Sequence, residues 1–265
     1  MKDIIIKMMD TIFGSSFLSD CVNSINQNPR EIEGIEELIR ITGQVVLPVA
    51  AVLLCMHLLI ELMDKMTSDS FNAEQFVKLL MKFVFGQIII SNATEWSLTF
   101  MTVGTKLMTD IQSGLTITSI GLADITETVE AMNFWTQIGV FAQLMLPLLA
   151  SFLLRIAVYF MAYSRLVEMV LRAMMAPMGC ADVVTGGSHS SGIRYLKRML
   201  AICIQGAMML AVIATASALL AGDGIFVDGI SITDVMFLGK YLGLMAAMVG
   251  LMGTSKSIAN EVVGA

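Results

Sequence analysis

The sequence predicts an all-α protein, a polytopic transmembrane helix bundle of about five spans with its N-terminus outside and its C-terminus cytoplasmic. Three observations predict it. Apolar residues make up 56% of the chain and charged residues only 14%, whereas an average soluble protein carries roughly 25% charged residues. Mean hydropathy is +0.79. Apolar windows of ~20 residues, the length a helix rising ~1.5 Å per residue needs to cross ~30 Å of hydrocarbon, recur along the sequence. The basic residues are also unevenly placed. Residues 64–82 and 165–198 hold Lys65, Lys78, Lys82, Arg165, Arg172, Arg194, Lys197 and Arg198, half of the 16 Lys and Arg. Cytoplasmic loops carry such an excess, so these segments are assigned inside. The acidic stretches 104–133, with Asp110, Asp124, Glu127 and Glu130, and 221–231 are assigned outside.

The elements follow in order. Residues 1–40 form an N-terminal amphipathic, extracytoplasmic segment. Ile5, Met8, Met9 and Ile12 fall at helical spacing, which suits a helix lying on a membrane surface or on a partner. No A-x-A-like cleavage site follows the short apolar run at the start. The transmembrane bundle occupies 41–253, with a cytoplasmic loop at 161–198, and 254–265 is a cytoplasmic tail. Span one, 41–63, contains Pro48, which membrane helices tolerate. Span two, 76–108, is interrupted by the polar run SNATEWS at 91–97, so it is either broken or long. Spans three, four and five are placed at 136–160, 199–221 and 235–253.

The stretch GGSHSSGIRYLKRML opens as a small-residue linker and passes Arg194, Lys197 and Arg198 on the doorstep of span four. Before it, SRLVEMVLRAMMAPMG at 164–179 sets Arg165, Glu168 and Arg172 on one helical face. This helix is expected either along the cytoplasmic surface or as an inward continuation of span three, ending near Pro177. The charges retain topology.

These residues carry a resemblance. RLVEMVLRAMMAPM, the small-residue loop and SGIRYLKRMLAICIQGAMML resemble the TrbL-like polytopic inner-membrane subunits of type IV secretion and conjugation systems, most closely over about 134–221. The resemblance implies an outside N-terminus, about five spans and an inside C-terminus. It further implies a platform or channel component in the bacterial cytoplasmic membrane that supports substrate translocation and stalk or pilus assembly. Implied partners are copies of itself, other envelope subunits, associated ATPases, membrane lipid and the transported DNA or protein, and in that reading Arg165, Arg172, Arg194, Lys197 and Arg198 offer a cytoplasmic docking surface for an ATPase or a passing polyanion. No cofactor and no chemistry of its own are implied.

Four polar residues are singled out within or beside the spans. Glu95 either lines a polar path or sits in the outer interface beside Trp96; a carboxylate within the membrane costs ~2.5–3.5 kcal/mol on insertion scales. Arg155 snorkels from the inner end of span three to the headgroups. Gln143 and Gln205 are candidates for interhelical hydrogen bonds. Gly239, Gly243 and Ala247 recur every four residues in span five, the small-residue ridge that lets helices approach closely, within a subunit or between subunits. Cys21, Cys55, Cys180 and Cys203 are widely spaced, and no catalytic or metal-ligating constellation can be assembled. An enzyme is therefore the least favoured reading. A small-molecule or ion transporter is the alternative, resting on composition and on the interruption of span two.

Overall fold

The computed structural model describes residues 2–13, 15–67, 72–114, 133–185, 190–221 and 235–265. Every regular element among them is helical: α1 (Lys2–Phe13), α2 (Ser15–Ile25), a 3-10 turn at Pro29–Glu31, α3 (Ile35–Met66), α4 (Ala73–Gly114), α5 (Phe134–Met174), the one-turn α6 (Ala176–Gly179), α7 (Ser191–Ala221) and α8 (Val235–Val263). Five of these helices are long and apolar enough to cross a membrane. In α7 the apolar window is 61% buried, against 17–33% in the other four. It is therefore the helix wrapped by protein, while the others turn apolar side chains outward, as lipid-facing helices do.

The polar run in span two does not break it. Helix α4 is continuous, and the side chains that look disruptive in sequence close onto its own backbone. Asn92 donates to the carbonyl of Ile88, Ser97 to Ala93, Thr99 to Glu95, Thr102 to Leu98 and Thr105 to Met101, each four residues back and at 2.8 to 3.0 Å. Hydroxyls satisfied in this way cost little where no water is present to replace the bonds. Of the two readings of this span, the long one holds.

The chain divides into two compact units, Met1–Asn26 with Met108–Ser164 and Gly206–Ser255, and Gln27–Leu107 with Arg165–Gln205 and Lys256–Ala265. In the first, α1 and α2 pack on the apolar faces of α5, α7 and α8. The four residues at helical spacing, Ile5, Met8, Met9 and Ile12, are all buried, in one cluster with Leu144, Val158, Leu210, Ile213, Tyr241 and Met245. The surface on which α1 lies is thus its own chain. Tyr241 donates from its hydroxyl to the Ile12 carbonyl at 2.7 Å, which satisfies an acceptor left open near the end of α1.

In the second unit α3 and α4 run antiparallel, meeting where one of them is small. A Cβ added at Gly86 would meet Leu54, and one added at Gly43 would meet Thr94 at 2.5 Å. Helix α3 starts from Gly34, whose φ of +81° suits glycine, and Glu36 and Glu37 in its first turn complement the helix dipole. Helix α7 approaches α4 at Gly104, where a Cβ would lie 2.9 Å from both the Cβ and the carbonyl oxygen of Cys203. The α6 turn and the residues after it pack between α3 and α4: Ala176 and Cys180 cluster with Ala93, and Ala181 with Ala50, Leu54 and Leu58.

Three expectations meet the structure here. Within residues 1–40, 1–26 belong to the first unit and 27–40 to the second. Helix α5 runs unbroken to Met174, so 161–174 continues span three, the second of the two placements considered for it. The charge rule also assigns Ile39 and residues 165–198 to opposite sides of the membrane, yet Ile39 packs in one cluster with Met169, Val170, Ala173 and Met174. The acidic residues Asp124, Glu127 and Glu130 and the hairpin at 222–231 lie outside the described residues.

Two outcomes follow from this packing. With the exposed Cys55 replaced, cysteines introduced at Glu33 and at Arg198 are labelled by an impermeant thiol reagent from the same side; labelling from opposite sides contradicts the Ile39 contacts. Gly104→Ala drives a Cβ into the α7 backbone, and overpacking of this kind costs ~1–3 kcal/mol. The melting temperature of the solubilised protein should fall accordingly, whereas Gly243→Ala, where nothing lies within 4 Å, should leave it unchanged.

Candidate functional site

Charge in the second unit gathers in two places. The first joins the N-terminal turn, α3 and α4. Arg30 bonds Glu36 through two nitrogens at 3.1 Å and donates to the Thr102 hydroxyl at 2.7 Å. Arg40 bonds Glu36 at 2.9 Å and pairs with Glu95. Two cations and two anions thus balance across the helix pair, beside a cleft of about 130 Å³ into which Gln44, Ser91, Thr94 and Pro177 also face. Glu95 is half exposed and ion-paired. Its charge is matched by Arg40, a partner 55 residues away that no local spacing reveals.

The second gathering involves the end of α5, the start of α7 and the end of α8. Arg194, Lys197 and Arg198 are exposed on the first turns of α7. Arg165 is not: it is only 4% exposed, and its Nε donates to the Ile202 carbonyl at 3.2 Å. Arg172 is tied to Glu168 at 2.9 Å. Of the five residues expected to form one docking surface, three are therefore exposed. A residue missed in the sequence stands nearby: Lys256 bonds both oxygens of Glu168, at 2.6 and 2.9 Å. Lys197 donates to the Gly264 carbonyl at 3.1 Å, so the tail and the basic turn of α7 share one end of the unit.

Helix α7 begins where it does because its N-terminus is capped twice. The Ser190 hydroxyl accepts from the Ile193 N–H at 3.2 Å, and Asp182 accepts from the Ser191 N–H at 3.1 Å and the Ser191 hydroxyl at 2.8 Å. Thr185 also donates to Asp182. Burial would raise the Asp182 carboxyl, but the bonds from Thr185 and Ser191 outweigh it and hold it below the usual carboxylate range. Tyr195, whose ring lies over Gly179, donates to the carbonyl of Arg172 and so ties α7 to the end of α5.

The remaining sequence candidates divide. Gln205 is buried, in keeping with an interhelical role, whereas Gln143 is exposed and bridges nothing inside its unit. Arg155 lines a groove with Ser151 and Phe152, the residues one turn before it, and lies 3.8 Å from Asp20 on α2. On α8, Leu238, Tyr241, Met245, Met248 and Met252 face the core. Gly239, Gly243 and Ala247 face away, and a Cβ at either glycine would meet nothing within 4 Å. Among the described residues nothing covers the ridge. Among the described residues no cluster of three His, Cys, Asp or Glu side chains is placed to hold a metal ion.

Balanced ion pairs, an exposed basic turn and an open helix face can hold and orient partners. With five apolar helices they define a multi-pass helical membrane protein. Residues 17–177 match the family model described as TrbL/VirB6 plasmid conjugal transfer like protein, which is more than half of the 265-residue chain. The chain belongs to this family. The match covers α3, α4 and α5 and stops at Pro177, so Arg194, Lys197 and Arg198 lie beyond it, in the part that the resemblance in sequence had weighted most. No curated protein and no solved structure matches the chain.

Substituting Asp182 tests the cap. Asp182→Asn should lower stability by ~1 kcal/mol. Because the folded pKa is depressed, the stabilisation is complete above the unfolded value of ~3.9 and fades as pH falls through the folded one. Thermal melts from neutral pH into acid should therefore show a shallower acid limb in the variant than in the parent.

Proposed function

We propose that the protein is an integral platform or channel component of a type IV secretion machine in the bacterial cytoplasmic membrane, acting in conjugative transfer and in the assembly of a stalk or pilus. Family membership carries this reading. The protein itself breaks and forms no bonds; associated ATPases supply the energy, and other envelope subunits complete the machine. It works as a homo-oligomer, and the support for that is the outward face of α8. Exposed bulky side chains such as Leu146 and Phe160 on α5 suit lipid, whereas Gly239, Gly243, Ala247 and Gly250 leave a groove that a neighbouring helix fills better than lipid does.

The exposed basic turn of α7 is the contact for an ATPase or for a passing polyanion. The transporter reading loses its structural support, since the interruption on which it rested is a continuous helix.

Replacing Arg194, Lys197 and Arg198 together with Gln should lower transfer by about tenfold or more, equivalent to ~1.4 kcal/mol of lost interaction, with protein level and labelling sides unchanged. Undiminished transfer by a correctly inserted variant reduces the cluster to a topological anchor. Gly243→Leu should reduce assembly size in mild detergent while the melting temperature of the subunit stays as it was; an unaltered assembly refutes the ridge.

A further inference from the structure

Helix α5 divides by charge along its length. Residues 134–154 carry none, and 21 residues at ~1.5 Å each cover the ~30 Å of a hydrocarbon layer. Arg155 is the first charge after them, Tyr159 and Tyr163 follow on the same helical face, and Arg165, Glu168 and Arg172 come next. Tyrosine is enriched at the headgroup level of membranes, where its ring is apolar at one end and wet at the other. The rings of Tyr159 and Tyr163 lie 6.5 Å apart, and Tyr163 is half exposed. Arg155 therefore stands where the hydrocarbon ends.

Along the charge-free stretch, α5 and α1 leave a groove of about 320 Å³. Met145, Leu148, Leu149 and Phe152 make it apolar, while Thr11, Ser151 and Arg155 supply its polar lining. Met145 and Arg155 are ten residues apart, so the groove runs ~15 Å along α5 and holds its charge at one end. Asp20 on α2 lies 3.8 Å from Arg155, an ion pair too wide for a direct hydrogen bond. Its carboxylate is 45% exposed and the Arg155 side chain 24%. A trough of apolar side chains with a cation and an anion side by side at its mouth has the outline of a zwitterionic amphiphile.

We infer that this groove binds one phosphatidylethanolamine of the bilayer, with an acyl chain along Met145, Leu149 and Phe152, the phosphate on the Arg155 guanidinium and the ammonium on the Asp20 carboxylate. Each charge of the pair meets its complement in this headgroup. Arginine takes phosphate through its planar fork. A primary ammonium donates hydrogen bonds to a carboxylate, which the trimethylated ammonium of phosphatidylcholine has no N–H to do. Phosphatidylglycerol offers Arg155 the same phosphate but brings no cation to Asp20, so a like charge is left beside the carboxylate. The inference is independent of the secretion reading.

Lipid competition on the full chain in mild detergent tests it, with equal amounts of dioleoyl phosphatidylethanolamine, phosphatidylcholine and phosphatidylglycerol supplied and the lipid retained per chain read by native mass spectrometry. Phosphatidylethanolamine should be retained severalfold more than either competitor. Arg155→Gln and Asp20→Asn should each remove the preference. Thr11→Trp, which leaves the ion pair in place and fills the groove, should lower retention severalfold while the melting temperature in lipid-free detergent stays at that of the parent. Retention of phosphatidylglycerol equal to or above that of phosphatidylethanolamine overturns the proposal, because a lone cation would then suffice. Retention of all three alike overturns it as an unselective lipid face, and a preference that survives in Thr11→Trp places the site elsewhere. No retained lipid also overturns it, and a smaller assembly in Thr11→Trp would then identify a second copy of the chain as the occupant. The competition on the parent chain decides between these outcomes whether or not a variant folds.

Discussion

Within a bilayer a polar group has no water to fall back on, and most of this structure follows from how each such group is satisfied. Helix α4 shows it most fully. Its central residues are among the most polar of any apolar stretch in the chain, yet their hydroxyl and amide groups bond to carbonyls one turn back. The helix continues, and its charged residue Glu95 meets Arg40 across the α3 pair. The same requirement explains the Tyr241 bond to the end of α1 and the double cap on α7.

Close helix approach is the second consequence. Where apolar burial brings no advantage over lipid, packing depends on how near two backbones come. Gly43, Gly86 and Gly104 each stand where a Cβ would collide with the facing helix. Gly239 and Gly243 stand where it would collide with nothing. In sequence the two sets look alike. Only the packing separates glycines that seat a facing helix from those whose added Cβ would meet no described residue.

The span count, the all-helical class and the buried stripe of α1 were legible from periodicity and composition, because each depends on residues close together in sequence. What was not legible depends on distant pairs. Arg155 read as a snorkelling side chain because Asp20 lies on another helix. Arg165 read as part of a docking surface because nothing local shows that Ile202 supplies its acceptor and α7 covers it. The side of the membrane assigned to the start of α3 came from charge statistics, which average over loops. The packing of Ile39 on the end of α5 was not legible either, because it joins residues far apart in the chain. Lys256 was overlooked because its role depends on Glu168, on a helix far away in the chain.

Hydrogen exchange along α4 in lipid nanodiscs tests the central claim most directly. If its polar residues are satisfied by the helix itself, amides from Ser91 to Thr105 should exchange as slowly as those of the apolar stretch before them. Fast exchange confined to 91–97, with protection on either side, would show that the helix opens at its polar centre and would contradict the account.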